Sequence, residues 1–157
     1  MTTTHQPEQV DLKDIKLAGF TLTESLNTVL KTGIIGKLRE ELERRSEEIP
    51  ARSGSGIYLI QIYPSDGEWT PDVPYQHIIG IPVAYDSELP SGMTTYTIPA
   101  GRYLKIIHKG TESEISKTYD YMNHTYGGRP VDIEYWHDIH TLENEDAEID
   151  IYIPLND

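Results

Sequence analysis

Apolar positions along this chain fall into short blocks with two distinct periods, and the blocks alternate in a regular order. Leu12 to Leu22 is apolar-rich and of strand length. Thr23 to Thr32 reads as a polar, irregular lead-in. Ile34, Ile35, Leu38 and Leu42 then share one helical face, with Lys37, Arg39, Glu40, Glu43 and Arg44 opposite. That helix is expected to stop before Pro50, because proline disfavours helical geometry in the residue ahead of it. Gly56 to Tyr63 is apolar at both parities (Ile57 and Leu59 against Tyr58, Ile60 and Ile62), which predicts a strand covered on both faces. Tyr75 to Tyr85 is the next strand, and Pro82 places its end or a sheet edge there.

The same succession follows a second time. Thr94 to Pro99 leads through Ala100-Gly101 to a strand over Arg102 to His108. Thr111 and Glu114 have the spacing of a capping box, and Ile115, Tyr119 and Met122 continue on one helical face until Gly127-Gly128. Strands follow over Val131 to Asp138 and Ala147 to Leu155. The remaining segments, Ala51 to Ser55, Pro64 to Pro74, Asp86 to Gly92 and Thr141 to Asp146, read as loops. The pattern I-x-I-P-[VL] occurs in Ile79-Gly80-Ile81-Pro82-Val83 and again in Ile151-Tyr152-Ile153-Pro154-Leu155, each time in the third strand of its unit. The expected fold class is therefore α+β: one domain over residues 1–157, built from two pseudo-symmetric β-α-β-β repeats at about 10–86 and 94–157. The strands would form an antiparallel sheet with helices on one face, leaving a ligand cavity between the repeats.

Composition narrows the function classes. With no cysteine, a disulfide framework and a thiolate metal site are excluded. The N-terminal residues are polar rather than signal-like, and no apolar run approaches the roughly 20 residues that span a bilayer, so a cytoplasmic location is expected. A net charge of −13 repels nucleic-acid phosphates and anionic membranes and favours cationic partners. Eleven tyrosines stand against a single phenylalanine. Tyrosine offers an apolar face with a polar tip, which suits a ligand-lined cavity, although strands also favour it.

Four stretches resemble the GyrI-like family, the effector-binding domain of AraC-type regulators. They are Ser55-Gly56-Ile57-Tyr58; Ile79-Gly80-Ile81-Pro82-Val83; Ile98-Pro99-Ala100-Gly101-Arg102-Tyr103 with His108-Lys109-Gly110; and Ile133-Glu134-Tyr135 with Asp150-Ile151-Tyr152-Ile153-Pro154. The resemblance implies paired SHS2-type units around a pocket for varied, often cationic and aromatic, small molecules. Many members are fused to a helix-turn-helix. About ten residues precede the first strand here, too few for such a motif, so a free-standing domain without direct nucleic-acid contact is expected.

Glu134 is the leading candidate site residue. It lies inside the apolar run Ile133-Glu134-Tyr135-Trp136, where an unpaired carboxylate is costly, and the resemblance places the family's pocket glutamate there. The competing reading is an exposed position on a half-buried strand. Trp136 shares its parity. The resemblance places Tyr152 at the cavity, and Asp150 shares its strand face. Tyr58 is a candidate wall, and Trp69 and Tyr75 a candidate lid. The resemblance implies three alternative roles: capture of a cationic or aromatic ligand in sensing, sequestration or resistance; hydrolysis of reactive cyclopropane-containing natural products by Glu134 and Tyr152; or an acidic interaction surface for a protein partner such as a regulator or DNA gyrase. No cofactor is expected. His137, Asp138 and His140 have a metal-like composition but no evident third ligand.

Overall fold

The computed structural model describes residues 7–54, 56–64, 67, 69–85 and 88–155. Ser55 of the first family-like stretch and Asp86 at the end of the first expected repeat lie outside them. The elements are β1 (Glu8–Leu12), β2 (Ile15–Glu24), α1 (Leu26–Thr32), α2 (Ile34–Arg44), β3 (Ile57–Ile62), β4 (Tyr75–Pro82), β5 (Thr94–Ile98), β6 (Gly101–Lys109), α3 (Ile115–Tyr126), β7 (Val131–Trp136) and β8 (Glu148–Pro154). The eight strands form one antiparallel sheet in the order β1-β6-β8-β7-β3-β4-β2-β5. The protein is thus α+β, with β3 and β7 at the centre.

Three local expectations are corrected. The apolar stretch from Leu12 breaks at Lys13-Asp14, so that β1 and β2 are separate strands. The polar lead-in from Thr23 contains a helix: Ser25 Oγ accepts the Thr28 N–H at 3.2 Å as its N-cap, and Gly33, at φ 65°, ends it in the left-handed region. The capping box at Thr111 and Glu114 does not form. Thr111 Oγ1 lies 3.1 Å from Ser113 Oγ, Glu114 pairs with Lys117, and the segment makes a 3₁₀ turn over Glu112–Glu114 before α3.

Two short connections curl the sheet. β1 ladders with β6 and β2 with β5, so the chain crosses from one edge to the other through Lys13-Asp14, and back through Pro99-Ala100. Three residue steps span at most about 11 Å, so the outer ladders meet there, where the Ala100 N–H donates to Asp14 Oδ1 at 2.6 Å. The inner face is filled by Leu17, Ile60, Ile78, Ile98, Tyr103 and Ile133, with Tyr58 and Tyr152 packed against them, and none of these lies on a helix. The outer face carries Ile57, Leu59, Ile79, Ile81, Ile106, Trp136, Ile149 and Ile151 and is covered by α2 through Leu42 and α3 through Met122. Burying such rows at roughly 25 cal/mol per Å² of apolar surface is the main force holding sheet and helices together.

Candidate functional site

β7 is paired on both sides, with β3 and β8, so strand alternation sorts its side chains between two covered faces. Asp132, Glu134 and Trp136 point to the helix-covered face and are buried there. Ile133 lies opposite Tyr152, and Tyr135 lies opposite both Tyr58 and Asp150, on the inner face.

Glu134 is 6% exposed. Its Oε2 accepts the Tyr119 hydroxyl of α3 at 2.6 Å and a longer bond from Gln61 Nε2 at 3.4 Å. Its Oε1 accepts the Trp136 indole N–H at 2.9 Å. Gln61 Nε2 also donates to the Tyr119 oxygen at 3.0 Å, so the carboxylate, amide and phenol form one closed network. All these donors are neutral, and among the described residues no cation pairs with Glu134. Burial raises the Glu134 pKa above its usual 4.5; the Tyr119 and Trp136 hydrogen bonds oppose the rise, and the charges of Glu112 and Asp132 add to it. Burial, reinforced by Glu134, pushes the Tyr119 hydroxyl well above its ordinary range.

Beside this network lies an aromatic group. Tyr63 stacks on Tyr75 with centroids 5.1 Å apart, and Trp69 packs edge-on to both at 5.6 and 5.7 Å. Tyr75 also leans on His77 at 4.1 Å. Tyr63 donates to Asp132 Oδ2 at 2.8 Å, and Arg129 pairs with Asp132 at 2.6 Å. His77 Nε2 lies 3.1 Å from the Glu24 carbonyl, while its buried Nδ1 has no partner among the described residues. Burial lowers the His77 pKa, so the ring is neutral at pH 7.

The seven candidates therefore divide. Glu134, Trp136, Tyr75 and Trp69 belong to the helix-covered side. Asp150, Tyr152 and Tyr58 lie on the inner face, so they do not join Glu134 in one cavity. Glu134 and Tyr152 in particular point to opposite faces of the sheet. On the inner face Asp150 accepts His137 Nε2 at 2.9 Å and sits 3.8 Å from Lys105 Nζ. Tyr58 and Tyr135 are in ring contact at 4.5 Å, and burial lifts the Tyr58 pKa to about 12. Gly56 makes this arrangement possible: a Cβ there would stand 2.2 Å from the Tyr135 hydroxyl. His140 turns away to Glu43 at 2.7 Å, so it does not join His137 at a common centre.

Gln61, Tyr119, Asp132 and Tyr63 are the parts of the site not singled out from sequence. Tyr119 was legible as a residue of the core-facing helix stripe. Its contact with Glu134 depends on tertiary packing that periodicity does not specify.

The site is thus a carboxylate buried with no cation partner among the described residues, beside aromatic rings on a curled antiparallel sheet. Residues 5–156 match the model of the GyrI-like small molecule binding domain, and the chain belongs to that family. It is 27% identical over 130 residues to the transcriptional regulator BrlR of Pseudomonas aeruginosa, covering 77% of this chain and 46% of BrlR. Its fold is similar to that of SAV2435 bound to tetraphenylphosphonium, with TM-score 0.70 and 15% identity over 96% of this chain and 94% of the other. EcmrR in complex with DNA gives TM-score 0.65 and 14% identity over 96% of this chain and 57% of EcmrR. The chain thus spans about half the length of BrlR and of EcmrR.

Proposed function

We propose that this domain captures a cationic, aromatic small molecule on the helix-covered side of the sheet, with Glu134 as counter-charge, and serves in sensing, sequestration or resistance. The observation that carries this reading is a buried carboxylate held by three neutral donors and, among the described residues, by no cation. A ligand cation would relieve the cost of that burial, and the Trp136 ring and the Tyr63, Trp69 and Tyr75 group offer faces for cation–π contact, worth about 0.5–2 kcal/mol each. The tetraphenylphosphonium held by SAV2435 has this chemistry.

The paired-repeat reading belongs to the same proposal. Outward from the centre, one half runs β3-β4-β2 and then β5, the other β7-β8-β6 and then β1, each ending in a strand from the opposite half of the chain. This succession supports two swapped units, with the acidic site belonging to the second.

Titration with tetraphenylphosphonium, followed by tryptophan fluorescence and calorimetry, tests the assignment. Saturable binding that weakens at least about tenfold in Glu134→Gln is expected, since losing one charge-assisted contact costs roughly 1.5 kcal/mol or more. Absence of binding, or equal affinity in the variant, removes the reading.

A further inference from the structure

Arg39 sets a cation against the aromatic ring that donates to Glu134. It projects from α2, and its guanidinium carbon lies 4.7 Å from the Trp136 ring centroid. Trp136 is the residue whose indole N–H is donated to Glu134. The same guanidinium is held by Glu112 through two bonds, Nη1 to Oε2 at 2.7 Å and Nη2 to Oε1 at 3.1 Å. One cation, one aromatic face and two carboxylates thus stand together, and the second carboxylate, Glu134, has no cation of its own among the described residues.

The position is a boundary. Outside it a surface groove is lined by Arg39, Glu40, Glu43, Arg44, Ile139 and His140. Inside it Trp136 is 1% exposed. The Arg39 side chain keeps 17% of its surface open, so it can leave the ring toward the groove without unfolding the helix.

We infer that Arg39 is a resident cation that sets ligand specificity: it caps the Trp136 face through cation–π contact, and only a cationic aromatic compound able to replace it there reaches Glu134. This inference rests on the proposed binding role of Glu134. A neutral aromatic compound has nothing to offer Glu112 once Arg39 departs. A small hydrated cation cannot replace the ring contact. The requirement for both charge and aromatic surface therefore follows from what has to be displaced.

The test uses the full chain with tetraphenylphosphonium as probe and four variants: Arg39→Ala, Arg39→Gln, Lys117→Ala and Glu134→Gln. Lys117 lies on α3 away from the groove, is exposed and pairs with Glu114, so its loss controls for the general change in charge. Arg39→Ala and Arg39→Gln are each expected to tighten probe binding by roughly three- to tenfold, the range set by one lost competing cation–π contact. Lys117→Ala is expected to leave affinity within about twofold, as exposed pairs contribute little. Arg39→Gln retains a side chain of similar length and guards against misfolding of the alanine variant. Affinity that is unchanged or weaker in both Arg39 variants, while Glu134→Gln still weakens binding, overturns the role of Arg39 and leaves the Glu134 site standing. Equal tightening in Lys117→Ala also overturns it, since charge alone then suffices. If Glu134→Gln has no effect either, both ideas fail together.

Discussion

Glu134 and Asp150 are both buried carboxylates on adjoining strands of one sheet, yet they are held in opposite ways. Asp150, on the inner face, has Lys105 and His137 at hand. Glu134, on the outer face, has a phenol, an amide and an indole, and the charges that raise its pKa are those of the acids Glu112 and Asp132. A carboxylate with a cation beside it is already compensated and serves packing. A carboxylate solvated only by neutral dipoles carries an outstanding desolvation cost that a bound cation can offset. Burial alone does not mark a site; the charge of the partners does.

The sharpest test makes the same chemical change at both positions. Asp150→Asn removes an acceptor charge from Lys105 and His137 and is expected to lower stability by about 1–3 kcal/mol. Glu134→Gln removes a charge that the fold pays to keep, and is expected to raise stability at pH 8 by about 1 kcal/mol while weakening cation binding. Urea unfolding of both variants reads the difference, and losses of equal size at the two positions would abolish the distinction.

The contrast also has a pH signature. Glu134 has its folded-state pKa raised above 4.5, so its contribution is fully present below pH 4.5 and is lost as pH rises through the raised value. His77 has its folded-state pKa lowered below 6.5, so the unfolded chain binds a proton first and stability falls as pH drops from 6.5. Unfolding free energies between pH 4 and 8 are therefore expected to show Glu134→Gln gaining on the natural chain with rising pH. His77→Gln is expected to gain on it with falling pH. Parallel curves for all three proteins would contradict both assignments.

How far the sequence foretold this can be traced residue by residue. Trp136 shares the face of Glu134 because strands have a period of two, and that required only counting along one segment. The separation of Tyr152 from Glu134 required the register between β7 and β8, in which Ile133 rather than Glu134 faces Tyr152. A long connection does not specify register, and a slip of one residue reverses every face. The two central strands and the two longer helices were legible because their apolar periods run over whole elements. Helix α1 was not, since its apolar spacing (Leu26, Val29 and Leu30) runs over only seven residues and it buries none of them, although Ser25 and Gly33 mark its ends. The break at Lys13-Asp14 separates two strands whose partners lie at opposite edges of the sheet, and hydropathy carries no record of partners.

The smallest expected effect concerns the helix that carries Arg39. Among the described residues α2 has one fully buried side chain, Leu42, whereas α3 has Thr118 and Met122. Gly36 lies in the first part of α2, and a Cβ built there meets nothing within 4 Å. A helical glycine costs about 0.8–1 kcal/mol relative to alanine, and here no close contact explains it. Gly36→Ala is therefore expected to stabilise the protein by roughly 0.5–1 kcal/mol, measured by urea unfolding. It also stiffens the backbone that presents Arg39 to Trp136, so probe affinity should fall by about two- to threefold, opposite in sign to Arg39→Ala. If Gly36→Ala gains stability but leaves affinity unchanged, displacement of Arg39 is a side-chain movement alone, and α2 remains in place when the ligand enters.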